Sequence, residues 1–177
     1  APLTLYSNRK LECGTCHSVH ESFEAADFAL RKADAVEWIY DAGIGDSTFD
    51  FTDSSNVCAW CHQSRRPEPN VEDPGTEFEI TSTHYGPHHG SIANVYVGVG
   101  FAEIAGSTPY PTGMFGHFAG GVTCVSCHMG TYTSGTGGHT WWPNIDNCTS
   151  CHGSATDFDI GGVQSDTQVQ LDTLRDL

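Results

Sequence analysis

Cysteine and histidine recur in this 177-residue chain in one arrangement: Cys13-Gly14-Thr15-Cys16-His17, Cys58-Ala59-Trp60-Cys61-His62, Cys124-Val125-Ser126-Cys127-His128 and Cys148-Thr149-Ser150-Cys151-His152. These four motifs use all eight cysteines. Two thiols separated by two residues lie one short turn apart, so each can add to a vinyl group of the same porphyrin. The next residue then brings an imidazole under the iron. Cys-x-x-Cys-His is on those grounds the attachment signature of c-type haem. The chain is therefore expected to carry four covalent haems, with iron held on the proximal side by His17, His62, His128 and His152.

Paired Cys-x-x-Cys units also build zinc ribbons, iron–sulfur sites and thioredoxin-like redox pairs. None of these requires a histidine directly after the second cysteine. A disulfide framework is weaker still, because thiols consumed as thioethers leave none for a bridge.

What fills the other face of each iron separates a carrier from a catalyst, since a sixth ligand closes the site and an empty position opens it to substrate. Ten histidines less the four proximal ones leave His20, His84, His88, His89, His117 and His139. Six candidates for four positions favour bis-histidine ligation. Met114 and Met129 are less favoured alternatives that would raise the potential. His117 precedes Cys124 by seven residues and His139 precedes Cys148 by nine, each in a glycine-bearing loop, which suggests paired roles as distal ligands. A hydrogen bond to a propionate or backbone group would satisfy either ring equally well. In His84-Tyr85-Gly86-Pro87-His88-His89 the adjacent rings diverge, so His88 and His89 do not serve one iron, and His88 leads as ligand. His20 lies three residues after His17, on the proximal side of the first haem. Any iron it binds belongs to another haem, of this chain or a neighbour; the alternative is an exposed first-turn histidine.

The elements that must position these residues are expected to be short. Four haems in one chain leave about 44 residues for each, too few for a conventional apolar core. Haem faces should replace much of that core, and 20 glycines and 8 prolines fit a chain that wraps cofactors in loops. The expected fold is loop-rich, with a few short α-helices and little strand, organised around a haem array. The first cysteines are 45, 66 and 24 residues apart, which excludes a tandem repeat and four separate modules. One domain over 1–177, with an acidic tail from about 157 to 177, is the expected organisation.

Ser18-Val19-His20-Glu21 has the form of a capping box, and Phe23, Ala26, Leu30, Ala33, Val36 and Tyr40 follow at helical spacing. This predicts a helix from about Val19 to Tyr40, stopped near Gly43. Arg65 to Asn70 and Asp73 to Gly75 read as a surface loop, with an extended segment at Phe78 to Thr81. Ile92 to Ile104 is compatible with helix or strand. Ser107 to Gly138 reads as loop apart from the third motif, and a short helix is expected near Val169 to Leu174.

No stretch approaches the roughly 18 to 20 apolar residues of a membrane span, so a soluble chain is expected. Ala1-Pro2-Leu3-Thr4 reads as a mature terminus left by signal cleavage, and c-type haem is attached outside the prokaryotic cytoplasm, so an extracellular or periplasmic location is expected. Asp and Glu total 22 against 7 Lys and Arg, a formal net charge of −15. Nucleic acid is an unsuitable partner for such a surface. The charge serves solubility, or attracts cations or a basic redox partner, and self-association must overcome like-charge repulsion, which salt would screen. Asn147-Cys148-Thr149 fits the glycosylation pattern, but its middle residue is an attachment cysteine that should obstruct modification.

The four motifs, the histidine just past the first of them, the His84 to His89 cluster, Gly121-Val122-Thr123-Cys124-Val125-Ser126-Cys127-His128-Met129 and His139-Thr140-Trp141-Trp142-Pro143 resemble the extracellular tetrahaem cytochromes that polymerise into conductive filaments, the OmcE-type nanowires and their archaeal relatives. The resemblance spans roughly residues 5 to 153 and leaves out the acidic tail. It implies bis-histidine haems stacked in a chain, and a histidine donated across the subunit interface to a neighbour's haem, a role that His20 best matches. It makes the chain its own partner, alongside redox proteins or extracellular acceptors. A discrete electron shuttle and a multihaem reductase with one open iron are the competing functions. The chain lacks the Cys-x-x-Cys-Lys variant that marks one group of multihaem nitrite reductases, and an acidic surface disfavours oxyanion substrates.

Overall fold

Apart from one of thirteen residues, the helices among the described residues are short. In the computed structural model, residues 11–18, 22, 24–39, 48–64, 77, 79, 90–98, 107 and 116–177 are described. A few short helices and little strand, the loop-rich arrangement expected, account for the regular structure. The chain divides into two compact units, Ala1–Gly121 and Val122–Leu177. Motifs one and two lie in the first unit, three and four in the second.

In the first unit, α1 (Cys13–Cys16) is a single turn. The chain then returns antiparallel beside it: Ser18 N–H donates to Ala29 O at 2.8 Å and Arg31 N–H to Cys16 O at 2.8 Å. Between them lies one 3-10 turn, Ala25–Phe28, whose buried Asp27 accepts from Ser22 N–H at 2.9 Å.

The helix expected from Val19 to Tyr40 is therefore not formed over its described residues. Ser18 N–H pairs with Ala29 O, and Val36–Glu37 is strand β1, paired antiparallel with β2 (Thr48–Phe49) in the register Val36 to Phe49 and Glu37 to Thr48. Val36 and Trp38 are buried while Glu37 and Ile39 are exposed. That is a two-residue alternation, and it prevails over the 3.6-residue pattern because β-branched and aromatic side chains fit a half-buried strand. Gly43 lies outside the described residues, as does the segment expected at Phe78 to Thr81 apart from Glu79.

An aromatic cluster sits on this hairpin. Phe49 lies 6.0 Å from Trp38, 4.9 Å from Phe51 and 5.2 Å from Phe118 between ring centroids, and Tyr96 lies 5.9 Å from Phe118. Among the described residues, the buried apolar ones are Val36, Trp38, Phe51, Ala59, Ala93 and Val97. Buried amides tie the loops to this core. Asn56, in α2 (Ser55–Ala59), accepts from Phe51 N–H at 2.9 Å and donates to Ala33 O at 2.9 Å. Asn94, in α3 (Ile92–Val97), accepts from Ser64 N–H at 2.7 Å. The ambiguous run from Ile92 resolves as helix as far as Gly98, whose φ of 78° closes the turn.

Within Ser107 to Gly138, expected as loop, Gly116–Ala119 forms the four-residue helix α4, held by Phe118 in the aromatic cluster. The second unit begins with α5 (Cys124–His128), where Thr123 N–H donates to Ser126 Oγ at 2.8 Å. A glycine-rich loop over 129–142 follows, then two 3-10 turns, and finally α6.

The tail helix expected at Val169 to Leu174 is longer, α6 spanning Val163–Arg175. The reason is a cap upstream. Asp159 accepts from Gln164 N–H at 2.7 Å and from the Ser165 hydroxyl, and Gly161 and Gly162 supply the positive φ, 72° and 76°, that brings its carboxylate back to the helix start. Among the described residues no helix is long and apolar enough to cross a membrane.

Candidate haem-attachment sites

All four motifs adopt the same turn. His17 N–H donates to Cys13 O at 2.9 Å, His62 N–H to Cys58 O at 2.9 Å and His152 N–H to Cys148 O at 2.8 Å, while Cys124 to His128 is the helix α5 itself. In a helical turn, residues i, i+3 and i+4 share one face. Each motif therefore presents two thiols and an imidazole on one side. The middle residues assist in two cases, the Thr15 hydroxyl accepting from Glu12 N–H at 3.2 Å as Ser126 does from Thr123.

Two proximal rings are oriented by backbone. His17 Nδ1 lies 2.7 Å from Phe28 O, and His128 Nδ1 lies 2.8 Å from Trp141 O. A carbonyl only accepts, so the proton sits on Nδ1 and the lone pair on Nε2. This is the tautomer, and the kind of outer hydrogen bond, that metal-ligating histidines use. The segments that supply these carbonyls make further contacts at or beside the motifs. Arg31 donates to Gly14 O at 2.8 Å, and Gly138 N–H donates to Gly130 O at 2.8 Å.

None of the eight cysteines is in a disulfide, and each is exposed or half-exposed. Burial, with a smaller contribution from the Cys61 thiol, pushes Cys16 above its ordinary value; burial and then the Cys127 thiol do the same to Cys148. A redox Cys-x-x-Cys nucleophile needs the opposite shift. Zinc and iron–sulfur sites need three or four converging donors, and among the described residues no group of three or more His, Cys, Asp or Glu converges.

No known protein family matches this chain. Neither does any curated protein or solved structure.

The residues present fit a covalently attached haem. Large apolar side chains stand exposed beside the motifs: Leu11 and Phe28 by the first, Tyr132, Trp141 and Trp142 by the third, Trp142 to 70%. A flat apolar group attached there would cover such surface. The second unit, every residue of which is described, contains no buried apolar side chain. Its own polypeptide thus supplies no apolar core. Among the described residues, three enclosed donors also lack partners, Ser64 Oγ and Asn94 Nδ2 near the second motif and Asn147 Nδ2 beside the fourth.

Of the distal candidates, His117 and His139 are described, and both are exposed. His117 stands on α4 of the first unit, next to the anchored Phe118. His139 stands in a 3-10 turn, Gly138–Thr140, of the second unit, two residues before the carbonyl that orients His128. Their matching sequence placement does not become matching structure. His20, His84, His88, His89 and Met114 lie outside the described residues, and Met129 follows α5 directly, half-buried.

Sequence reasoning missed Phe28, Arg31 and Trp141, which act through backbone carbonyls and a helix-end contact that leave no residue-type signature. It also missed Asn147, whose side chain packs so closely on Gly130 that a Cβ there would collide with it. That enclosed amide nitrogen is inaccessible to a glycosylating enzyme in the folded chain.

Proposed function

We propose that this chain is an extracellular electron-transfer protein with four covalent c-type haems ligated by histidine on both faces, and that it is the subunit of a conductive filament. The observation that carries the proposal is the shared turn. Four motifs far apart in sequence each set two thiols and an imidazole on one side of a helical turn, in different surroundings.

A bound haem supplies an iron that cycles between ferrous and ferric, holding one electron with no substrate bond made or broken. The chain's part is to fix and shield. Cys13 and Cys16, Cys58 and Cys61, Cys124 and Cys127, and Cys148 and Cys151 each anchor one group, and the Phe28 and Trp141 carbonyls hold the Nδ1 proton of His17 and His128. His84, His88, His89, His117 and His139 are the candidates for the opposite faces within the chain. His20 is assigned to a neighbouring subunit, which makes the contact heterologous and non-closing.

Electron cryo-microscopy of the untagged protein recovered from the cell exterior tests this reading. Filaments with an unbroken haem chain and His20 reaching into the next subunit are expected. Discrete particles with one open iron would replace the conductor with a reductase.

A further inference from the structure

The two compact units differ in what holds them together. The first has an apolar core of Val36, Trp38, Phe51, Ala59, Ala93 and Val97, cross-braced by Asn56 and Asn94. The second, residues 122–177, has none. None of its apolar side chains is fully buried; Val122, Val125, Met129, Ile145 and Ile160 are half-buried, Tyr132, Trp141, Trp142, Phe158, Val163 and Leu174 are exposed, and α6 buries nothing. A unit of this size needs roughly 60% of its unfolded surface buried to be even marginally stable, and without a core of its own the covering must come from what it binds.

Within the second unit the two attachment sites are built into each other. One loop spans them. Gly137 N–H donates to Trp142 O at 2.7 Å and Gly138 N–H to Gly130 O at 2.8 Å; Trp141 O orients His128; Asn144 then caps the turn Ile145–Asn147 that leads into Cys148. The Asn147 side chain closes back on Gly130, two residues past His128.

We infer that the second unit is a two-haem module whose only core is its haems, so that it is ordered when both sites are loaded and comes apart when either is empty, whereas the first unit keeps its aromatic core. The inference rests on the proposed reading of the motifs as attachment sites. It assigns the two units different dependence on cofactor, a property of folding rather than of electron transfer.

Hydrogen–deuterium exchange by mass spectrometry on the full chain tests it, comparing wild type with Cys148→Ala/Cys151→Ala. With the fourth site empty, the amides of Gly137, Gly138 and Thr133, all in the loop serving the third site, should exchange at least about tenfold faster. Those of Phe51, Ser64 and Ala93 should keep wild-type protection. Acceleration confined to 145–153, or shared equally by both units, overturns the inference. A second measurement needs no variant: in wild type under rising denaturant, the amides around motifs three and four should lose protection together, in a step separate from the first unit, and a single global step contradicts this. The intact mass of the same wild-type sample separates failure of the inference from failure of the haem reading: with the mass of four haems present, a failed exchange result refutes the inference alone, whereas a chain without added haem mass refutes the haem reading and the inference with it.

Discussion

The Nδ1 atom of His128 lies 2.8 Å from the carbonyl oxygen of Trp141, thirteen residues downstream, and Trp141 holds that carbonyl in place from a left-handed backbone conformation, φ 56°. The loop that delivers the carbonyl depends on Gly137, at φ 79°, where a Cβ would run into the Thr131 carbonyl.

Gly137→Ala should therefore cost about 1–3 kcal/mol in local strain and release His128 from its acceptor. The expected readout is a shifted low-spin ferric resonance for one haem of four, with four haems still attached. An unchanged spectrum would show that the carbonyl does not position the ring.

Asn56→Ala removes the acceptor of Phe51 N–H and the donor to Ala33 O inside the first unit. Leaving such buried groups unpaired costs on the order of 2–3 kcal/mol. Denaturant titration should show the first unit destabilised by that amount and the second unmoved.

Low pH should unwind α6. The Ser165 hydroxyl, with the Gln164 and Ser165 amides, holds the Asp159 carboxyl below its ordinary value of 3.8. A carboxyl depressed in the folded state stabilises above its unfolded value and loses that contribution as pH falls through the folded one. Helical circular dichroism should accordingly drop below about pH 4 in wild type, and Asp159→Asn should flatten that part of the titration.

How far the sequence spoke for the structure depended on the range of the signal. The motif turns were legible because two cysteines and a histidine encode a local geometry. The loop-rich character followed from dividing one chain among the four haems that its motifs lead one to expect. The segment from Val19 to Tyr40 misled because Phe23, Leu30 and Val36 match a helical period, while Val36 and Trp38 are in fact the buried positions of a strand whose partner, Phe49, lies across a connection that no local pattern reveals. Helix α6 was underestimated because its cap, Asp159, lies four residues ahead of it and reaches back through two glycines. The carbonyls over His17 and His128 were invisible because every residue type carries one.

His20→Ala should abolish filaments while leaving four attached haems. Negative-stain microscopy beside intact mass checks both halves, and raising the salt should favour assembly of the wild type by screening its net charge of −15. Normal filaments from the variant would remove His20 from the interface.

The most direct test of the account is the intact mass of the denatured protein, matured in a host that attaches c-type haem, followed by peptide mapping of the thioethers. The account predicts the polypeptide plus four haems, one on each of Cys13 and Cys16, Cys58 and Cys61, Cys124 and Cys127, and Cys148 and Cys151. A bare polypeptide mass, or cysteines recovered as free thiols or disulfides, would contradict it.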